Sequence, residues 1–105
     1  MPTNLKSAIA KYLSSGNPAR GTQAEYRTTL RKWNAWGGGV PIERLDRAQI
    51  RDFLDWVYER AVADDGTNPG RTANKAREYL RAVISWAWEQ DLIEATPRFP
   101  KPRPQ

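Results

Sequence analysis

The stretch that decides the fold is RTANKAREYLRAVISWAWEQDLIEATP, residues Arg71 to Pro97. Placed at 100° per residue, Ala73, Ala76, Leu80, Val83, Ile84 and Ala87 gather on one side, the period of a helix that buries a single stripe. Asn74, Arg77, Arg81 and Ser85 gather on the opposite side, and Asp91-Leu92-Ile93 reads as a short apolar hook after the helix. A helix that buries one face and offers Arg and Asn on the other fits a DNA groove in shape and in chemistry. A merely solvated charged face has the same pattern, so the remainder of the chain must discriminate between them.

Upstream, three more segments carry a helical stripe. Thr3 is the expected cap of a first helix ending near Ser15, with Leu5, Ala8, Ile9, Tyr12 and Leu13 facing inward. Gly16-Asn17-Pro18 breaks it. A second helix is expected from Thr22 to Trp36, with Tyr26, Leu30, Trp33 and Trp36 inward and Arg27 and Arg31 outward. Gly37-Gly38-Gly39 and Pro41 stop it. Asp46, with Gln49 three residues on, forms a capping-box pair for a third helix whose core face is Ile50, Phe53, Leu54, Val57 and Ala61. Asp64 to Gly70 reads as a loop, and Thr72 is the expected cap of the fourth helix. The tail RFPKPRPQ alternates proline with basic residues and is expected to be extended linker. With no alternating pattern and no internal repeat, the fold class is all-α, a four-helix bundle.

A chain of 105 residues makes one domain with a modest core. Five Trp and four Tyr argue against disorder despite 28% charged residues. The chain has neither cysteine nor histidine, which removes disulfides, thiolate metal sites, the commonest general base and the commonest neutral metal ligand. No apolar run approaches a membrane span and no signal-peptide pattern opens the chain, so a cytoplasmic protein with no membrane partner is expected.

The net charge of +5 is unevenly spread. Residues 42–66 carry −3 and hold seven of the twelve acids, whereas residues 21–41 and 67–90 carry +2 each. Segregation onto different helices would give the bundle a basic side and an acidic side. A polyanion would then meet the second and fourth helices, with the third turned away.

Several spacings together resemble a known family. They are Tyr12-Leu13, Thr22-x-x-x-Tyr26-x-x-x-Leu30-x-x-Trp33 and Leu45-Asp46-x-x-x-Ile50-x-x-Phe53-Leu54 in the first part. Thr72-x-Asn74, Leu80-Arg81, Ile84-x-Trp86-Ala87 and Asp91-Leu92-Ile93-x-x-x-Pro97 form the second. In order and spacing, from Leu5 to Pro97, they look like the N-terminal core-binding domain of tyrosine recombinases, the phage-type integrases. The resemblance implies a SAM-like orthogonal four-helix bundle forming half of a clamp around double-stranded DNA during DNA integration and recombination. The other half would be a C-terminal catalytic domain of the same parent chain, with an Arg, Lys, His, Arg set and a nucleophilic tyrosine. Residues 1–97 would be the core-binding domain and 98–105 the linker toward that catalytic domain. This piece would then carry no catalytic residue, metal or cofactor and would not cleave DNA, whereas the parent would be an enzyme, acting as a tetramer on DNA.

By the same resemblance, Thr22, Gln23, Arg27 and Arg31 would face DNA from the second helix. Arg71, Thr72, Asn74, Lys75, Arg77 and Arg81 would do so from the fourth. Arg27 and Arg31 suit backbone phosphate, which fixes register without reading sequence. Asn74 is able to pair with adenine or to stand solvated, and Glu78 offers Arg77 and Arg81 a local ion pair instead of DNA. Thr22 and Thr72 serve first as caps, and a capped helix N-terminus also accepts phosphate. Trp33, Trp36 and Trp86 belong to the core; Trp56 and Trp88 fall off the core stripes. Asp52, Asp55 and Glu59 read as a solvated acidic face rather than a metal site. The alternative to a DNA-binding domain is a helical protein-interaction module whose surface would be Trp56 and Trp88, with no role for nucleic acid.

Overall fold

The computed structural model describes residues 4–15, 20–37, 41–64 and 68–103. Four α-helices make up its bulk: α1 (Leu5–Ser14), α2 (Arg20–Trp36), α3 (Arg47–Ala63) and α4 (Pro69–Glu89), with a single 3₁₀ turn at Ile42–Arg44 before α3. There is no strand among the described residues. The all-helical expectation holds. Every residue expected on the core faces of α3 and α4 is buried, because a 3.6-residue period leaves such stripes no other place to go.

The core is built around α4, which packs against each of the other three helices. Trp33 and Phe53 lie nearly inaccessible with their rings edge to face at 4.9 Å, and Trp36 closes on Phe53 at 5.6 Å. Such tilted geometries place ring edges against ring faces, the favoured electrostatic arrangement. In a second aromatic cluster, Tyr12 meets Tyr26 at 5.2 Å and Trp86 at 5.6 Å, and Tyr26 meets Tyr79 at 4.8 Å. The Tyr26 hydroxyl donates to that of Tyr12 at 3.4 Å, a long contact. Burial pushes the Tyr26 phenol well above the ordinary tyrosine range, with the neighbouring Tyr12 adding to the effect. Tyr79 is raised in the same direction, chiefly by burial and then by the Glu25 carboxylate.

Helix ends correct the sequence reading in three places. α1 is capped by Asn4 rather than Thr3: the Asn4 Oδ1 accepts from the Ser7 N–H at 2.7 Å. α2 already begins at Arg20, so Thr22 lies within the first turn instead of capping it. α4 is capped by Asn68, whose Oδ1 accepts from the Arg71 N–H at 3.0 Å, with Pro69 at the first helical position. Proline has no N–H to satisfy there and its ring presets the helical φ. Thr72 is therefore one turn inside, its hydroxyl donating to the Asn68 carbonyl at 3.0 Å. The Asp46–Gln49 capping box forms as expected, at 2.8 and 3.2 Å.

At its other end α4 closes in a two-bond turn. The Asp91 N–H donates to the Trp88 carbonyl at 3.1 Å and the Leu92 N–H to the Ala87 carbonyl at 2.9 Å. This pattern needs a left-handed residue between, and Asp91 supplies it with φ 59°. The turn throws Ile93 back into the core, where it is buried, so the apolar hook is part of the fold. Beyond it the chain lacks regular structure yet stays on the protein: Phe99 packs against the core cluster.

Candidate nucleic-acid interface

α4 presents two flanks, and the residues expected to touch DNA divide between them. On the flank toward α2, Thr72 and Lys75 of α4 border a groove with Glu25, Thr28 and Lys32 of α2. A wider groove of about 520 Å³ continues from it, its polar lining made by Arg31 and Lys32 of α2, Arg60 of α3, Thr72 of α4 and the single carboxylate of Asp64, with Trp56 on its wall. Arg71 and Lys75 border a third depression with Asn74 and Glu78. Arg27, Arg31, Arg71 and Lys75 are all exposed, Gln23 is half-buried, and the Thr22 side chain lies outside the described residues.

The threonine hydroxyls in these grooves are already in use. Thr28 donates to the Ala24 carbonyl and accepts from Arg31 Nη2 at 3.2 Å, and Thr72 donates within its own helix. The cationic donors left over are the ammonium groups of Lys32 and Lys75 and the guanidinium groups of Arg27 and Arg71. None of Arg27, Lys32, Arg71 or Lys75 has an ion-pair partner among the described residues. Long cationic side chains held this loosely place charge near a polyanion and specify little about sequence.

Lys32 and Arg60 escaped the sequence reading. Lys32 follows Arg31 directly and was legible as part of one basic stretch. Arg60 sat unnoticed in a segment whose sum is acidic. On α3 it falls four residues after Trp56, one turn on, and its guanidinium stacks 4.8 Å above that indole. α3 is therefore not turned wholly away from the basic side, since its C-terminal half walls the groove with a cation and an aromatic ring.

The other flank of α4 is covered. Asn74, Arg77, Arg81 and Ser85 share it as expected, but residues 96–103 run back over it toward the helix N-terminus. Asn74 Nδ2 donates to the Arg103 carbonyl and Asn74 Oδ1 accepts from the Arg103 N–H, both at 2.7 Å. Arg77 Nε donates to the Pro100 carbonyl at 2.7 Å, and its guanidinium lies 5.9 Å from the Phe99 ring centre. Arg77 also pairs with Glu78, the local ion pair anticipated from the sequence. Of the segment expected to be linker, residues 98–103 lack regular structure and are docked rather than free, and Pro104 and Gln105 lie outside the described residues. Asn74 and Arg77 are occupied by it, whereas Arg81 stays exposed at its edge.

The carboxylates go separate ways. Asp52 is exposed 4.0 Å from its neighbour Arg51, Asp55 pairs with Arg103, and Glu59 is exposed. No group of three or more His, Cys, Asp or Glu is placed to hold a metal ion among the described residues. Nor is any described helix long and apolar enough to cross a membrane. Of the tryptophans, Trp33 is buried, Trp36, Trp56 and Trp86 pack partly on the core, and Trp88 is 49% exposed.

Comparison with protein-family models, curated proteins and solved structures found no match.

Proposed function

We propose that this domain binds duplex DNA through the cationic side shared by α2 and α4, as the core-binding half of a tyrosine-recombinase clamp. The observation that supports it is the placement of Lys32 and Lys75, one from each helix, on the rim of one groove. Arg31 and Arg60 extend that groove, and Arg27 and Arg71 are exposed on the same two helices. Cations drawn from separate helices onto one side release counterions when they meet a phosphate backbone, the dominant source of affinity for DNA. The spacings that resemble the recombinase domain span the same helices and support the finer assignment.

The part played here is positioning. Arg27, Arg31, Lys32, Arg71 and Lys75 hold phosphates, while Asn74 and Arg77 serve the tail and contribute little to base reading in the docked state. Roughly five phosphate contacts give a log–log salt slope of about −4 to −5, with micromolar or weaker affinity for one half of a clamp. Fluorescence anisotropy of a labelled duplex across a salt series tests this. A steep slope supports the reading, and affinity that ignores salt overturns it. The second reading, a helical protein-interaction module, is favoured by Trp88, half exposed at the end of α4; its binding would respond little to salt.

A further inference from the structure

We propose that the groove between α3 and α4 is a recognition site for an extended, proline-spaced peptide bearing arginine, with Phe99–Arg103 as its resident and releasable ligand. This inference does not depend on DNA binding.

Three kinds of recognition meet in the groove. The first reads main chain. An extended residue points its N–H and C=O to the same side, and the amide of Asn74 offers one acceptor and one donor in a plane to match, both bonds at 2.7 Å. A helical or turned residue does not present that pair together. The second needs no N–H and so tolerates proline. Arg77 donates to the Pro100 carbonyl, which asks only for an acceptor. The third reads arginine. The Arg103 guanidinium pairs with the Asp55 carboxylate and lies 4.7 Å from the Tyr58 ring centre. Asp55 and Tyr58 are three apart on α3 and so share a face. A planar cation suits both a carboxylate edge and an aromatic face, whereas an ammonium suits the stack less well.

The peptide is prepared for this groove. Phe99, Lys101 and Arg103 each precede a proline, which pushes each toward the extended region before any contact is made. Less entropy is then lost on docking. The lengths also agree. From Pro97 beside Ser85 to Arg103 at Asn74, six extended residues cover about 19 Å. The eleven helical steps from Asn74 to Ser85 rise about 16 Å. Release is built in as well, because Asp55 and the Arg103 side chain are both substantially exposed and their attraction is screened by water.

The test uses the full chain and amide exchange measured by NMR. The Arg103 N–H should exchange at least about tenfold more slowly than an unstructured amide. In Asn74→Ala that protection should fall to within about twofold of the unstructured rate, with Leu80 and Ile84 amides unchanged, whereas Asn74→Asp, which keeps the acceptor for the Arg103 N–H and loses only the donor to its carbonyl, should retain part of it. Arg103→Lys should lose part of the protection and Arg103→Ala more. The peptide acetyl-Phe-Pro-Lys-Pro-Arg-Pro-amide, added in trans to the Asn74-intact chain, should displace the tail and speed Arg103 exchange, whereas its Arg→Ala version should not. An unprotected Arg103 N–H in the natural chain would overturn the proposal. So would equal displacement by the two peptides, which would leave packing without recognition.

Discussion

Asn74 holds Arg103 by both of its main-chain groups, 29 positions along the chain, through two hydrogen bonds of 2.7 Å. A side chain facing DNA by sequence logic is thereby committed to the protein's own tail. Asn74→Ala should consequently change duplex affinity by less than about threefold at low salt, since a residue off the phosphate path adds no counterion release. A loss of about tenfold, concentrated at one adenine position, would instead mean that Asn74 reads bases.

The opposite result is expected on the other flank. Arg31→Ala and Lys75→Ala should each weaken duplex binding and lower the magnitude of the salt slope by about 0.9 per lost phosphate contact. Arg60→Ala should act in the same direction if the wide groove belongs to the interface. Anisotropy titrations at four salt concentrations would check all three. Slopes unchanged from the natural chain would remove these residues from the binding side.

Helix caps supply a stability test that is independent of function. Asp46→Ala removes an acceptor for the Gln49 N–H and should cost about 1 kcal/mol, and Asn68→Ala at the start of α4 should cost a similar amount. Thr72→Ala, one turn inside, should cost clearly less than Asn68→Ala. Urea melts of the three variants would show the order, and a reversal would place the start of α4 at Thr72.

These caps show what the sequence makes legible and what it hides. The stripes of α3 and α4 were readable because burial at a 3.6-residue period is an intrinsic property of the pattern. Asn68 was hidden by a competing signal, since Asn-Pro-Gly also spells a loop, and only the proline's freedom from an N–H makes it a helix start. The docked tail was less legible still. Its composition declares an extended chain, but what Asn74 and Arg77 grip are the N–H and carbonyl groups of Arg103 and the carbonyl of Pro100, and main-chain groups leave no trace in a residue pattern. Arg60 was lost because a charge summed over a segment conceals which side of the helix each charge occupies.

The turn after α4 stores backbone strain at Asp91, the one non-glycine residue with positive φ among those described. Asp91→Gly should stabilise the domain or leave it unchanged, because relief of the left-handed conformation is offset by glycine's larger entropy loss. Asp91→Val should destabilise it by at least about 1 kcal/mol, since a branched side chain is poorly tolerated there. Thermal melts would check both. An equal cost for the two would indicate that the Asp91 side chain, rather than its φ, matters.

The tyrosine cluster predicts an alkaline limit. Tyr26 and Tyr79 have native pKa values raised above their unfolded value of 10.0, mainly by burial. The native state then binds more protons than the unfolded state above that pH, so the stability from neutral phenols is complete below pH 10 and declines as pH rises past it. Tyr26→Phe should flatten that decline while changing neutral-pH stability little. Melting temperatures between neutral and strongly alkaline pH would show it, and identical slopes for the two proteins would contradict the burial of the phenol.

Contact between the α2–α4 side and duplex DNA can be seen residue by residue in an NMR titration of the full chain with a short duplex, at low and then higher salt. Shifts should cluster on Arg27–Lys32 and Arg71–Lys75 and fade as salt rises. Shifts centred on Asp52–Glu59 or on Trp88, or silence at millimolar duplex, would contradict that contact.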